Sequence, residues 1–310
     1  MNRQALYAKK EAVYGTPIAL TAADVIHAEN VRYTPKGEIV KGDPAKPGYG
    51  AVPGVVYGEH GDLTFDVPLA GSGTVATAPK WGLFMKAAGW TETNVPTTSV
   101  TYALGDPSSA DSLTFKWRDA KRSHTLAGAR GRVALKVAAG GRLMLSYLFR
   151  GLHIDVYASA APVPADVTWT GWNDSLPVQQ GRTTFSLDGV AMTLREWGLD
   201  AADNVRFTDV PHQENVELLG AREFTGKLKA GVPDIAVFNP EAKWKSNGIL
   251  VAALVHEIGS AGRIVTINAR GQLQGPPTYS RDNDQDLFEQ DFNLVGSNLG
   301  ASDDIAIVLT

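Results

Sequence analysis

The stretch Leu126–Phe149, LAGARGRVALKVAAGGRLMLSYLF, reads as two strands joined by a Gly-Gly turn, and part of it recurs at Ile258–Leu273, IGSAGRIVTINARGQL. Placing Gly128 on Gly259 also aligns Gly131 with Gly262, Arg132 with Arg263, Val133 with Ile264, Ala138 with Ala269 and Gly140 with Gly271. Two copies of one supersecondary unit predict two similar domains, because neither copy buries its apolar face alone. Other matches keep the same order. NVRYT at Asn30 is echoed by NVRFT at Asn204, and short helical patterns around Trp81 and Trp244 follow them.

A chain of 310 residues exceeds the size at which one hydrophobic core stops growing, which also favours two domains. The stretch ASAAPVPAD, stiffened by Pro162 and Pro164, is the best linker and sets the expected boundary. The first domain is then 1–165, with a loose N-terminal arm at Gln4–Lys10 and a Gly/Pro-rich contact loop over 42–61; the second is 166–310. With 32 Gly, 17 Pro and repeated Thr, Val and aromatic clusters, the chain predicts a mainly β fold of short strands. Each domain carries one short α-helix. Pro79 and Gly89 bracket the first, with Trp81, Phe84, Met85 and Ala88 on one apolar face; Pro240 and Gly248 bracket the second.

Composition removes several classes of function. A formal charge of -4 without a Lys/Arg block gives no strong pull toward a polyanion. Zero Cys excludes disulfides, thiol catalysis and Cys-ligated metals. The N-terminus is charged where a signal peptide is apolar, and no apolar run is long enough for a membrane span, so no membrane partner is expected. The chain is expected to stay where it is made unless an assembly carries it out.

Chemistry is equally sparse. There is no nucleophile elbow, phosphate loop, dinucleotide fingerprint or HExxH, and no catalytic, cofactor-binding or metal residue is assigned. None of the six histidines (His27, His60, His124, His153, His212 and His256) stands two or four residues from another. The acidic run at 281–291 begins like a calcium loop at Asp282, Asn283, Asp284 and Asp286. It then has Leu287 where a turn glycine belongs and Asn293 where a bidentate Glu belongs, so a solvated loop is the simpler reading. Those carboxylates, with Glu289 and Asp291, are alternatively offered to an inner wall or a neighbour's basic residues. A carboxylate pair such as Asp66 with Glu196 would serve glycoside hydrolysis if its separation allowed, and seven Trp suggest sugar stacking. A carbohydrate-binding or carbohydrate-cleaving β-sandwich therefore stays open at this point.

The chain resembles the major tail tube proteins of long, flexible-tailed, siphovirus-type bacteriophages. The resemblance is carried by KEAVYGTPIALTAADVI, LFMKAAGW with VTYAL, GARGRVAL with LFRG, REFTGKLKAGVPDIA, and AGRIVTINARGQLQGPPTYSRDND, which together span nearly the whole chain. It implies a tandem pair of tail-tube-like β-sandwich or barrel domains and a structural, non-enzymatic role without cofactors. Rings would close through long inner strands into a continuous β-barrel and stack into a conduit for DNA. With two units per chain, a ring of three chains with pseudo-sixfold symmetry is favoured, six chains being the alternative. Further implied partners are the tape measure protein and DNA, transiently in the lumen, and tail terminator and baseplate proteins at the ends. Assembly would take place in the host bacterial cytoplasm and the product would reside in the virion tail.

Overall fold

The computed structural model describes residues 3–45, 48, 50–202, 204–220, 223–282, 284–298 and 302–310. The protein is mainly β, with 53% strand and two short α-helices. In chain order the elements of the first half are β1 (Ala5–Lys10), β2 (Glu29–Lys41), β3 (Gly54–Pro68), α1 (Gly82–Ala87), β4 (Trp90–Val95), β5 (Ser99–Leu104), β6 (Leu113–Arg118), β7 (Arg122–Ala138) and β8 (Met144–Ala158). The second half continues with β9 (Thr183–Leu187), β10 (Val190–Ala191), β11 (Leu194–Ala201), β12 (Val205–Val210), β13 (Gln213–Leu218), β14 (Phe224–Gly231), α2 (Pro240–Lys245), β15 (Ile249–His256), β16 (Val265–Leu273), β17 (Thr278–Asp282), β18 (Gln285–Leu294) and β19 (Ile305–Leu309). All ladders are antiparallel. Seventeen strands join one hydrogen-bonded network, and β12 with β13 forms a separate two-stranded sheet.

The two halves repeat one pairing scheme. In the first, β3 lies between β2 and β8, β8 lies between β3 and β7, and β6 joins β7 to β1. In the second, β14 lies between β11 and β18, β18 pairs with β17 and the end of β16, and β15 joins β16 to β9. The long β8 of the first half is matched by two strands, because β7 pairs along its whole length whereas β16 pairs with β18 at one end and β19 at the other. The β4–β5 hairpin has no counterpart among the described residues. It hooks onto the second half instead, with Ala103 opposite Ala306 and Val100 opposite Leu309.

Register shows where the repeat lies. Thr64 stands opposite Leu148 and Thr225 opposite Asn293. One residue along, Phe149 faces Gly131 and Leu294 faces Gly271. The matching segment is therefore Ala129-Arg130-Gly131 with Ala269-Arg270-Gly271, and the superposition of Gly128 on Gly259 is shifted by most of a strand. Gly128, at φ +60°, forms a bulge inside β7, whereas Gly259 and Gly262, at φ +86° and +80°, shape the turn between β15 and β16. The turn is built for close approach: a Cβ on Gly262 would lie 2.6 Å from the Thr74 nitrogen, and Gly73 donates its N–H to the Gly262 carbonyl. Arg132 and Arg263 are thus not equivalent; the first reaches Asp200 and the second Glu257.

Three other expectations change. Gln4–Lys10 is no loose arm, since β1 pairs with β6 and buries Ala5, Leu6, Tyr7 and Ala8. A strand buried on both faces lacks the alternation that marks a half-exposed one. The contact loop expected over 42–61 is shorter, because Gly54–Gly61 already belongs to β3; Lys46, Pro47 and Tyr49 lie outside the described residues. Pro35-Lys36-Gly37 forms a bulged part of β2, and an edge strand tolerates Pro35 because its outer side has no ladder to break. The first helix starts later than Pro79, at Gly82, but Trp81, Phe84, Met85 and Ala88 are all buried as predicted. Phe84 packs edge-on against Phe65 at 5.3 Å and near-parallel to Phe115 at 6.1 Å, fixing the helix to the sheet. In α2, Pro240 opens the helix behind an Asn239 side chain that accepts the Ala242 N–H.

Candidate assembly interface

The seam between the halves is a β-ladder. Ala134–Ala138 of β7 pair with Glu196–Asp200 of β11, and the Ala139 N–H extends the ladder to the Arg195 carbonyl at 2.9 Å. Trp197, Leu199, Leu135 and Val137 are buried along it. At its end, the Arg132 guanidinium donates to the Asp200 carboxylate at 3.2 Å and to the Ala201 carbonyl. Asp200 is largely exposed, so this ion pair orients the strands more than it stabilises them.

An arm crosses the seam as well. The β12–β13 hairpin lies over the first half, where Arg130 and Arg150 sit side by side on β7 and β8. Arg150 Nη1 donates to the Val205 carbonyl at 2.6 Å and Arg130 Nη1 to the Val216 carbonyl at 3.1 Å, while the Val216 N–H is accepted by the Tyr14 hydroxyl. Burial pushes the Tyr14 hydroxyl pKa up, so the phenol keeps its proton. His60 stacks on Phe207 with centroids 4.3 Å apart, and the Gly58 N–H is given to Asp209. Nearby, Asp62 receives Arg150 and Lys36. Burial opposes ionisation of this carboxyl, yet the two cations hold its pKa below the ordinary value.

The exposed faces of the two equivalent sheets each carry a groove. One, of 350 Å³, is lined by Asn30, Asp66, Arg132, Lys136 and Ser146; the other, of 370 Å³, by Glu196, Lys227, Lys229, Glu289 and Asp291. Their polar pairs match in register, Asp66 facing Ser146 as Lys227 faces Asp291. Charges of both signs are interleaved, with Lys229 at 2.6 Å from Glu289 and Lys227 at 4.0 Å from Asp291.

This places the residues singled out by sequence. Asp66 and Glu196 line different grooves. The acidic loop expected over 281–291 is instead the β17–β18 hairpin, in which Arg281 faces Asp284 and Asp286; Asn283 lies outside the described residues. Among the described residues no group of three or more His, Asp or Glu converges as a metal would require. His124 and His153 do meet, around Tyr33, whose hydroxyl lies 2.6 Å from His153 Nδ1 and whose ring lies 4.7 Å from that of His124. Burial raises the Tyr33 pKa to about 12. Trp81, Trp90 and Trp197 are buried in the core, and Trp169, half exposed, stands edge-on to His27.

Two of the strands that pair on one side only among the described residues, β2 and β17, stand where the repeat places seam strands. All of Thr278–Asp282 in β17 is exposed and pairs only with β18, and β2 pairs only with β3. In the shared register β17 corresponds to the part of β7 that holds β11, and β2 corresponds to β11. A fold that carries one seam inside and the two halves of another outside is suited to polymerise head to tail. The family model for phage tail tube proteins matches residues 1–294. The chain belongs to the phage tail tube protein family. A search of curated proteins returns no match. As a tail tube protein it is a structural component of the bacteriophage virion tail, and self-assembly into a tube is the role to which its edges must be fitted. In the sequence only the acidic end of the β17 edge, at Asp282, is marked as a contact to a neighbour; Thr278–Arg281 carries no such pattern. Its signal was weak, a short polar strand after Pro276-Pro277.

Proposed function

We propose that this chain closes into rings of three through a second seam that copies the first. The observation that carries the reading is the β7–β11 ladder between the halves, together with the open equivalents of both its strands. Lys136 faces Gly198 within the chain. By register, Thr278 corresponds to Lys136 and Glu29 to Gly198, so Thr278 of one copy stands opposite Glu29 of the next. The tandem reading, with one tail-tube unit in 1–165 and another in 166–310, belongs to this proposal. Three such chains give six alternating units and a continuous barrel.

The exposed sheet faces with the paired grooves then line the lumen. Arg132, Lys227 and Lys229 there are each matched by a carboxylate, which limits phosphate binding and lets DNA pass without being held. Stacked rings form the conduit of a siphovirus-type tail, assembled in the host cytoplasm. The tape measure protein fills it before DNA does, and terminator and baseplate proteins close its ends. Negative-stain images of the purified chain at high concentration test this: rings and tubes are expected, and monomers alone at every concentration contradict it.

A further inference from the structure

We infer that the β2–β3 hairpin is a clasp whose seat is the row Val251, Arg270 and Val295 on a second copy of this chain in the same ring. This rests on the ring reading above and adds a contact that the barrel seam does not require. The two halves each carry an arm. The second-half arm, β12–β13, is seated: Val205 and Val216 are buried and their carbonyls are held by Arg150 and Arg130. The first-half arm is unseated. Beyond Gly37 its strands expose Ile39, Val40, Val55 and Val56, with Val55 74% exposed.

Each half also carries a seat. Arg130 has its counterpart in Arg270 through the shared Ala-Arg-Gly register, and Arg150 has its counterpart in Val295. Arg270 stands opposite Val251 on β15 and passes its carbonyl to the Val295 N–H at 2.9 Å, so the three form one lateral row. Val251 is 39% exposed, and Arg270 Nε is buried without a hydrogen-bond partner among the described residues. The chemistry of seat and arm agrees. Where the first-half seat offers two guanidinium groups, this one offers a single guanidinium between two valines, and the arm that lacks a seat is the more apolar of the two. Arm and seat belong to opposite ends of the repeat, with β2 at one open edge and β17 at the other. The inner seam that brings β2 of one copy to β17 of the next brings arm and seat together by the same operation that places β12–β13 on β7 and β8.

The absence of native Cys makes a clean test possible. Chains carrying Val55→Cys alone and Val251→Cys alone are mixed as monomers, assembled, and treated with a short bis-maleimide. Single rings of the mixture are expected to yield a cross-linked dimer on denaturing gels, and either variant alone none. Rings that form without the cross-link overturn the clasp and leave the ring reading standing; a cross-link confined to stacked tubes overturns the seat within one ring. Wild-type chain that never forms rings removes the ring reading itself. As a second variant, Val55→Asp with Val56→Asp should leave the monomer's melting temperature unchanged and weaken ring assembly about tenfold; undiminished assembly contradicts the clasp.

Discussion

The β12–β13 and β2–β3 hairpins occupy the same position in the two halves and have opposite fates. One is pinned by Arg130, Arg150 and Tyr14 across an internal seam; the other projects Ile39, Val40, Val55 and Val56 into solvent. Both are antiparallel hairpins, β12–β13 as a separate two-stranded sheet and β2–β3 as a continuation of the large one. What differs is whether a neighbouring unit lies within the same chain. On the proposed ring, the internal seam serves as a copy of the interface made with other chains, against which the unpaired edges and the bare arm are read.

The largest effect that tests this comparison is on assembly. Ala139 donates its N–H across the internal seam, and Arg281 is its counterpart on β17. Arg281→Pro should therefore abolish rings, seen by size exclusion and negative stain, while the monomer's melting temperature changes little; intact rings would break the equivalence of the seams. Trp197, fully buried on the internal seam, gives the next effect. Trp197→Ala should cost about 3–5 kcal/mol in denaturant unfolding.

Glycines sharpen the contrast at smaller scale. A Cβ on Gly128 would meet the Tyr14 ring at 2.9 Å in a left-handed backbone, while one on Gly140 meets nothing. Gly128→Ala should cost about 1–2 kcal/mol from the backbone alone and also speed hydrogen exchange at Val216, whose N–H Tyr14 accepts. Gly140→Ala should leave that exchange unchanged.

The smallest expected effect is a pH dependence. Burial lowers the pKa of His256, which sits between the Thr183 and Ser175 hydroxyls. A group with a depressed folded pKa contributes stability above its unfolded value, here 6.5, and that contribution is lost as the pH falls through the folded value. Melting temperature should thus decline on acidification below 6.5, and less steeply in His256→Gln. Asp62, held down by Arg150 and Lys36 against the opposing effect of burial, adds a second loss below 3.8 by the same sign.

Much of the fold was legible because its elements are punctuated by Gly and Pro, although β2, β3, β7 and β8 are longer than the short strands expected from composition. The β7–β8 hairpin with its turn at Gly140-Gly141, the buried face of α1 and the Pro240 start of α2 all follow local rules. The N-terminal strand was not legible, since Ala5–Ala8 is enclosed and carries no period. The repeat was visible in outline but read in the wrong register: glycines at Gly128 and Gly259 mark a bulge and a turn, two different uses of a positive φ. Pairing across the sheet decides that register, and a linear comparison does not hold it. The interface was the least legible part, because an edge such as Thr278–Asp282 is defined by what fails to pair with it.

The central claim is that each chain supplies two equivalent units to one ring. Symmetry in cryo-electron microscopy class averages of end-on rings tests it most directly. Three chains per ring, with six similar lobes alternating in detail around a threefold axis, are predicted. A ring of six identical chains related by a true sixfold axis would contradict the account.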